Sequence, residues 1–153
     1  VVPVAREVEY AKGYLTIQKM RYKDKLEFEI DVEPSILNIP LIKLVLQPII
    51  ENAIYHGLKY KESKGLLQVK GFMKDGNAVL QVIDNGVGMD EETLSHIYDK
   101  HKVNYHSNGV GVYNVQKRLK LYYGDDYGIT YESKKGEGTT ATITIPGRQE
   151  AVR

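Results

Sequence analysis

Val82-Ile83-Asp84-Asn85-Gly86-Val87-Gly88-Met89 is the stretch on which the fold turns. Upstream of it, residues 66–73 and 78–83 are two apolar runs of strand character, joined by Lys74-Asp75-Gly76-Asn77, which has hairpin composition. The second strand delivers Asp84 at its end. Downstream, Asp90-Glu91-Glu92-Thr93 supplies acidic residues and a capping side chain where a helix should begin. An Asn-Gly pair can also close a plain hairpin. Here a helix signal follows instead of a partner strand, which sets the acidic glycine-rich turn between a strand and a helix. At such a turn a carboxylate can accept from the exocyclic amine of a purine, while Gly86 and Gly88 let the base approach the backbone.

Working outward, the apolar residues Leu41, Leu44, Val45, Ile49 and Ala53 predict a buried helix from near Pro40 to Leu58, kinked or shortened by Pro48. Its polar residues fall late, at Glu51, Asn52 and His56. Asn52 and His56 are four apart and share a face. An amide oxygen such as that of Asn52 can ligate magnesium, which keeps several waters and usually binds nucleotide phosphates with one or two protein groups. His56 can hydrogen-bond a phosphate; equally, it can be an ordinary helix C-terminal residue with Gly57 as a left-handed cap. On the other side, Gly109-Val110-Gly111 opens a helix with Val112, Val115, Leu119 and Tyr122 in phase, ending at Gly124. Glycine exposes backbone N–H groups at a helix start, which suits an anion, although a permissive loop-to-helix junction has the same composition.

The flanks complete the pattern. Val4, Val8, Ala11 and Leu15 recur at helical spacing after Pro3, and the pattern fades near Asp24. Leu26, Phe28, Ile30 and Val32 alternate with acidic residues in a half-buried strand closed by Pro34. Residues 129–133 and 139–145 form two last strands around Lys134-Lys135-Gly136-Glu137-Gly138, and Thr139-Thr140 opens the second. These elements predict an α+β fold: a two-layer sandwich with helices on one face of a mixed, mostly antiparallel sheet. The boundaries are a lead-in helix at 1–24, a folded domain at 25–147 and a tail at 148–153.

Composition narrows the partners. The 153 residues are 42% hydrophobic and 27% charged with a net charge of +1, which suits one soluble domain and offers no broad footprint for nucleic acid. Cysteine is absent, which removes disulfides and thiolate chemistry and fits a reducing cytoplasm. The apolar run at 39–50 is too short to span a bilayer, so any membrane anchor of a parent protein is expected elsewhere.

Taken together, Asn52 as an N box, residues 84–88 as a G1 box, Gly109 to Gly111 as a G2 box and residues 136–140 as a last glycine element resemble the Bergerat-fold ATP-binding domains of the GHKL superfamily. Residues 46–54, residues 109–115 with Arg118-Leu119, and residues 14–26 are similar to the LytS-like sensor histidine kinases, so the likeness covers nearly the whole chain. The resemblance implies ATP and Mg²⁺ as ligands, with metal held partly by Asn52 and adenine read by Asp84. It implies Glu51 and Asn52 as catalytic residues, with Asn52, His56, Asp84, Gly86, Gly88, Met89, Gly109, Val110, Gly111, Thr139 and Thr140 around the nucleotide. A mobile lid is expected between Met89 and Gly109.

The implied partners are a dimerisation domain carrying the phosphoacceptor histidine and a response regulator. The implied parent is a homodimer anchored in a bacterial membrane. Two residues depart from the wider pattern. Pro48 stands where hydrolytic members carry a general-base Glu, which favours a kinase over an ATPase, and Tyr55 stands where many such kinases have Lys. No histidine of this chain sits in a phosphoacceptor motif, so the domain alone is not expected to autophosphorylate. A protein-serine kinase or ATPase of the same fold, or an interaction module that has lost nucleotide, are the competing readings.

Overall fold

A computed structural model describes residues 1–58, 62–97 and 109–148. In chain order, β1 (Val2–Pro3) leads into the long helix α1 (Val4–Tyr22), followed by β2 (Leu26–Val32), β3 (Pro40–Leu41) and α2 (Leu46–Asn52), which continues as a wider π-helical turn, Ala53–Leu58. Then come β4 (Gly65–Lys74), β5 (Asn77–Asp84), the short α3 (Glu91–Ser95), α4 (Gly109–Tyr123), β6 (Gly128–Lys134) and β7 (Gly138–Pro146). Five strands form one sheet in the order β2-β4-β5-β7-β6. Only β2 and β4 run parallel; β4–β5, β5–β7 and β6–β7 are antiparallel. The expected mixed, mostly antiparallel sheet with helices packed on it is the observed architecture.

Strand alternation decides which face is covered. On β5, Ala78, Leu80 and Val82 point into the core, in register with Ala141, Ile143 and Ile145 of β7 and near Leu67 and Val69 of β4. Against them pack Ala11 and Leu15 of α1, Ile49 and Ile50 of α2, and Val112, Val115 and Leu119 of α4. Each fully buried Leu, Ile or Val side chain among them contributes about 1.5–3 kcal/mol of transfer free energy. The opposite face carries Gln81, Thr140, Thr142 and Thr144, only partly covered, with Gln81 Nε2 donating to Thr142 Oγ1 at 3.3 Å. Helix α1 is part of this core: Val4, Ala11 and Leu15 are completely buried.

Four expectations are corrected. The helix expected from Pro40 starts at Leu46; Pro40 and Leu41 instead pair with Pro3 and Val2 as β3 and β1. Pro48 thereby becomes the third helical residue, in the first turn, where a missing N–H costs nothing. Leu44, expected in the core, is 57% exposed with φ 60°, because the turn preceding α2 is held from two sides. From α1, Glu7 Oε1 accepts from the N–H groups of Val45 at 2.8 Å and Leu46 at 3.3 Å. From α4, the Arg118 guanidinium donates to the carbonyls of Lys43 and Leu44. Glu7 is the more deeply buried neighbour of Val8, so a carboxylate occupies the position on α1 that periodicity assigned to an apolar residue. On α4, Tyr122 is 53% exposed and Tyr123 packs inward in its place, its hydroxyl accepting from the Ile42 N–H at 3.2 Å.

Candidate functional site

Asp84 ends β5 between Leu67 of β4 and Thr139 of β7, so the sheet itself places its carboxylate at the rim of the core. It is only 6% exposed. Its Oδ1 accepts from the Gly86 N–H at 2.8 Å, and the Thr139 N–H also donates to it. Burial pushes the carboxyl from 3.8 up to about 6, against the opposing pull of those two N–H groups.

The turn after Asp84 is locked by close backbone packing. A Cβ at Gly57 would lie 2.7 Å from Asp84 Oδ1, and one at Gly86 would overlap the Gly57 carbonyl, to which the Val87 N–H donates at 3.0 Å. Gly88, at φ 67°, has no room for a side chain against the Lys134 carbonyl. The β6–β7 hairpin grips the same turn: the Gly136 N–H donates to Val87 O at 2.7 Å and the Met89 N–H to Ser133 Oγ at 2.8 Å. The glycines expected to admit a ligand are thus required first by the chain's packing on itself. No left-handed residue stands at Gly57, so the capping explanation for that glycine does not hold, and the turn closes no hairpin.

Between this turn, α2 and α3 lies a cavity of about 520 Å³. Its polar lining includes Asn52, His56, Asp84, Glu92, Thr93, His96 and Thr139, and its apolar lining includes Ile49, Ala53, Val82, Met89, Ile97, Tyr131 and Ala141. A few converging polar groups on an apolar wall is the usual make-up of a small-molecule site. Of the residues expected around a nucleotide, Asn52, His56, Asp84, Gly88, Met89 and Thr139 meet at this cavity. Asn52 is 7% exposed and projects from the last turn of α2, just before the π-helical turn that carries His56. Gly86 stands behind Asp84 as its hydrogen-bond donor.

Of the other expected residues, Thr140, Glu51 and Gly111 fall outside the wall. Thr140 alternates onto the opposite face of the sheet, across from Ile83 and Glu132. Glu51 lies on the flank of α2, accepting from Gln47 Nε2 at 3.0 Å, and its charge helps raise the pKa of the Tyr14 hydroxyl after the larger effect of burial. Gly109, Val110 and Gly111 form the first turn of α4, with Gly111 backed by Pro48. Residues 98–108, which include most of the expected lid, and residues 149–153 of the expected tail lie outside the described residues.

Sequence reasoning missed Tyr131 and the α3 side of the wall. Period-two alternation on β6 from buried Ile129 was sufficient to put Tyr131 and Ser133 on the Asp84 face. For Glu92, Thr93 and His96, the only signal was the Asp90 cap, which accepts from the Thr93 N–H at 2.7 Å and orients the helix.

Among the described residues, no group of three or more His, Asp or Glu side chains is placed to hold a metal by itself. The buried Asn52 carboxamide oxygen at the cavity wall is chemically suited to a magnesium ion carried on a polyphosphate. No helix among the described residues is long and apolar enough to cross a membrane.

A buried carboxylate at a strand end, an Asn on the facing helix and a glycine-locked turn between them define an ATP-binding domain of the two-layer GHKL type, and residues 38–149 match that family's pattern. The chain belongs to the histidine kinase-, DNA gyrase B- and HSP90-like ATPase family. Among its relatives are proteins named as sensor histidine kinases or sensor proteins. It is 31% identical over 152 residues to sensor histidine kinase YesM of Bacillus subtilis, covering 99% of this chain and 25% of that protein. It is 34% identical over 150 residues to sensor protein LytS of Oceanobacillus iheyensis, covering 97% of this chain and 26% of that one. The chain therefore spans about a quarter of the length of these curated relatives. In fold it resembles the catalytic domain of histidine kinase ThkA, with a TM-score of 0.68 at 16% identity over 94% of this chain and 90% of that one. It likewise resembles the histidine kinase domain of the Erythrobacter litoralis EL346 blue-light activated kinase, with a TM-score of 0.67 at 17% identity over 95% of this chain and 62% of that one.

Proposed function

We propose that this domain binds Mg²⁺-ATP in the cavity described above and positions the γ-phosphate for transfer to a histidine on a separate helical domain of the same protein, in a sensor histidine kinase. The observation that carries the reading is the placement of Asp84 and Asn52, two buried polar side chains from different elements, on the wall of one cavity. Asp84 accepts from the adenine amine at the closed end, where the Gly86 and Thr139 N–H groups hold its carboxylate in place. Met89, Ile97 and Ala141 supply apolar wall for the base. Asn52 and His56 meet the phosphates from the helix side, and the first turn of α4 offers backbone N–H groups to them. Asn52 would be the protein ligand for a magnesium ion, which would supply charge neutralisation for the phosphates.

Pro48, in the first turn of α2 and facing Gly111, brings no basic group to activate water, which supports phosphotransfer over hydrolysis. Catalysis in this reading is positioning with charge stabilisation. The parent would be a membrane-anchored homodimer that passes its phosphate to a response regulator, since its relatives are named as sensor kinases. Calorimetric titration of the chain with ATP, with and without magnesium, tests the binding half. Saturable, magnesium-enhanced binding lost in Asp84→Ala is expected. A folded chain that takes up no adenine nucleotide at millimolar concentration would refute the reading in favour of an interaction module. In the longer parent protein, an acid-labile phosphate on an upstream histidine is expected; an acid-stable phosphoserine would point to the protein-serine kinase alternative.

A further inference from the structure

Across β7 from Asp84, one hydroxyl takes part in three hydrogen bonds. Ser133 Oγ accepts from the Met89 N–H at 2.8 Å, lies 3.0 Å from the Gly138 carbonyl, and lies 2.7 Å from Thr139 Oγ1. A serine hydroxyl has one hydrogen and two lone pairs. A carbonyl can only accept, so the single Ser133 hydrogen goes to Gly138 O. One lone pair is taken by the Met89 N–H. All three bonds are then made together in one way only: Thr139 donates its hydroxyl hydrogen to the remaining lone pair of Ser133.

That assignment fixes the polarity of Thr139, which lines the cavity on the same sheet face as Ala141 and beside Asp84. With its hydrogen committed to Ser133, Thr139 Oγ1 presents only lone pairs to whatever occupies the cavity. The closed end therefore offers two acceptors side by side, the Asp84 carboxylate and the Thr139 oxygen. An exocyclic amine supplies hydrogens to such a pair. A 6-oxo group, itself an acceptor, meets lone pairs and stays unpaired after losing its water, which is the costly arrangement.

We propose that Ser133 is a specificity-determining residue: by consuming the Thr139 proton it makes the site select 6-amino over 6-oxo purine nucleotides. Ser133 is not in the cavity wall and acts through Thr139, so it is a positioning residue. The inference rests on the nucleotide reading above, and inosine triphosphate, which differs from ATP in this group and the adjoining ring nitrogen, is the probe that separates the two.

The test is titration of the chain with Mg²⁺-ATP and Mg²⁺-ITP in the wild type, Ser133→Ala and Thr139→Val. The wild type is expected to prefer ATP by at least about tenfold, equivalent to about 1.4 kcal/mol. In Ser133→Ala the freed Thr139 hydroxyl can turn and donate, so the ATP-to-ITP ratio narrows several-fold, chiefly through tighter ITP binding. Thr139→Val removes the second acceptor and narrows the ratio independently, and it decides the matter if Ser133→Ala does not fold. Loss of the Met89 anchor alone would weaken both nucleotides equally. A ratio unchanged in the variants, or a wild-type ratio near one, overturns the proposal while leaving ATP binding intact. Binding of neither nucleotide to the folded wild type overturns both this inference and the nucleotide reading.

Discussion

Replacing Asp84 by Asn should stabilise the fold at neutral pH while removing the nucleotide, because the same burial that makes the carboxylate useful also makes its charge costly. Burial raises its pKa from 3.8 to about 6. At about 1.36 kcal/mol per pKa unit, that difference is worth about 3 kcal/mol. The sign follows from proton uptake: between those two values the folded state holds a proton that the unfolded state has released. The contribution is fully present below pH 3.8, is lost as pH rises through about 6, and is flat above that. About 2 kcal/mol of it falls between about pH 4.5 and 7.5, the range in which urea titration of both proteins is practical.

The quantity to measure is the unfolding free energy of the wild type minus that of Asp84→Asn, taken across that range. Groups common to both proteins cancel in the difference. Asn keeps one oxygen acceptor for the Gly86 and Thr139 N–H groups, and a donor left unpaired by its NH₂ costs about 1–3 kcal/mol. That cost offsets the curve without changing its shape. The expected result is a difference that falls by about 2 kcal/mol as pH rises from about 4.5 through 6 and levels by about 7.5. A difference that stays within about 0.5 kcal/mol throughout, or that rises with pH, would refute the claim that an ionised Asp84 is held against its burial.

Other substitutions probe the elements around it. Gly57→Ala puts a methyl 2.7 Å from Asp84 Oδ1, so the carboxylate must swing away; calorimetry should show ATP affinity down by about tenfold or more with the circular dichroism spectrum unchanged, and unaltered affinity would count against the packing argument. Asn52→Ala should shrink the ratio of ATP affinities with and without magnesium and leave adenosine binding intact, whereas an unchanged ratio removes Asn52 as the metal ligand. Glu7→Ala strands the N–H groups of Val45 and Leu46 in the core and should cost about 2–3 kcal/mol by urea unfolding, with Glu7→Gln, which keeps an acceptor, costing about 1; equal effects would show that hydrogen bonding is not what Glu7 supplies.

Glu7 also shows what limited the reading of the chain. Strands β4 to β7 and the position of Asp84 were legible because alternation and turn chemistry are local, and each strand was found to within a residue or so of its observed ends. The start of α2 was not, because Leu46 is the first helical residue only by virtue of Glu7, 39 positions earlier, and Arg118, 74 positions after Leu44. A charge in an apolar phase of α1 reads as an interruption of the pattern until its partners are known. The glycines tell the same story. Their clustering correctly marked the turn after Asp84, but the reason for it lies in Gly57 and the Lys134 carbonyl, neither of which is close in sequence.

The same distinction separates the two sides of the site. Asp84 and Asn52 could be singled out from sequence because each is a polar residue at the end of a strongly patterned element. Ser133 could not, because a serine in an edge strand is ordinarily neutral in meaning. Its proposed role exists only once Met89, Gly138 and Thr139 are brought around one oxygen. Hydrogen-bond direction, rather than residue type, is then what decides whether a hydroxyl in the wall reads as a donor or an acceptor. A threonine that sequence reasoning treats as ambivalent becomes a one-sided acceptor, and nucleobase preference would follow from a residue that never touches the base.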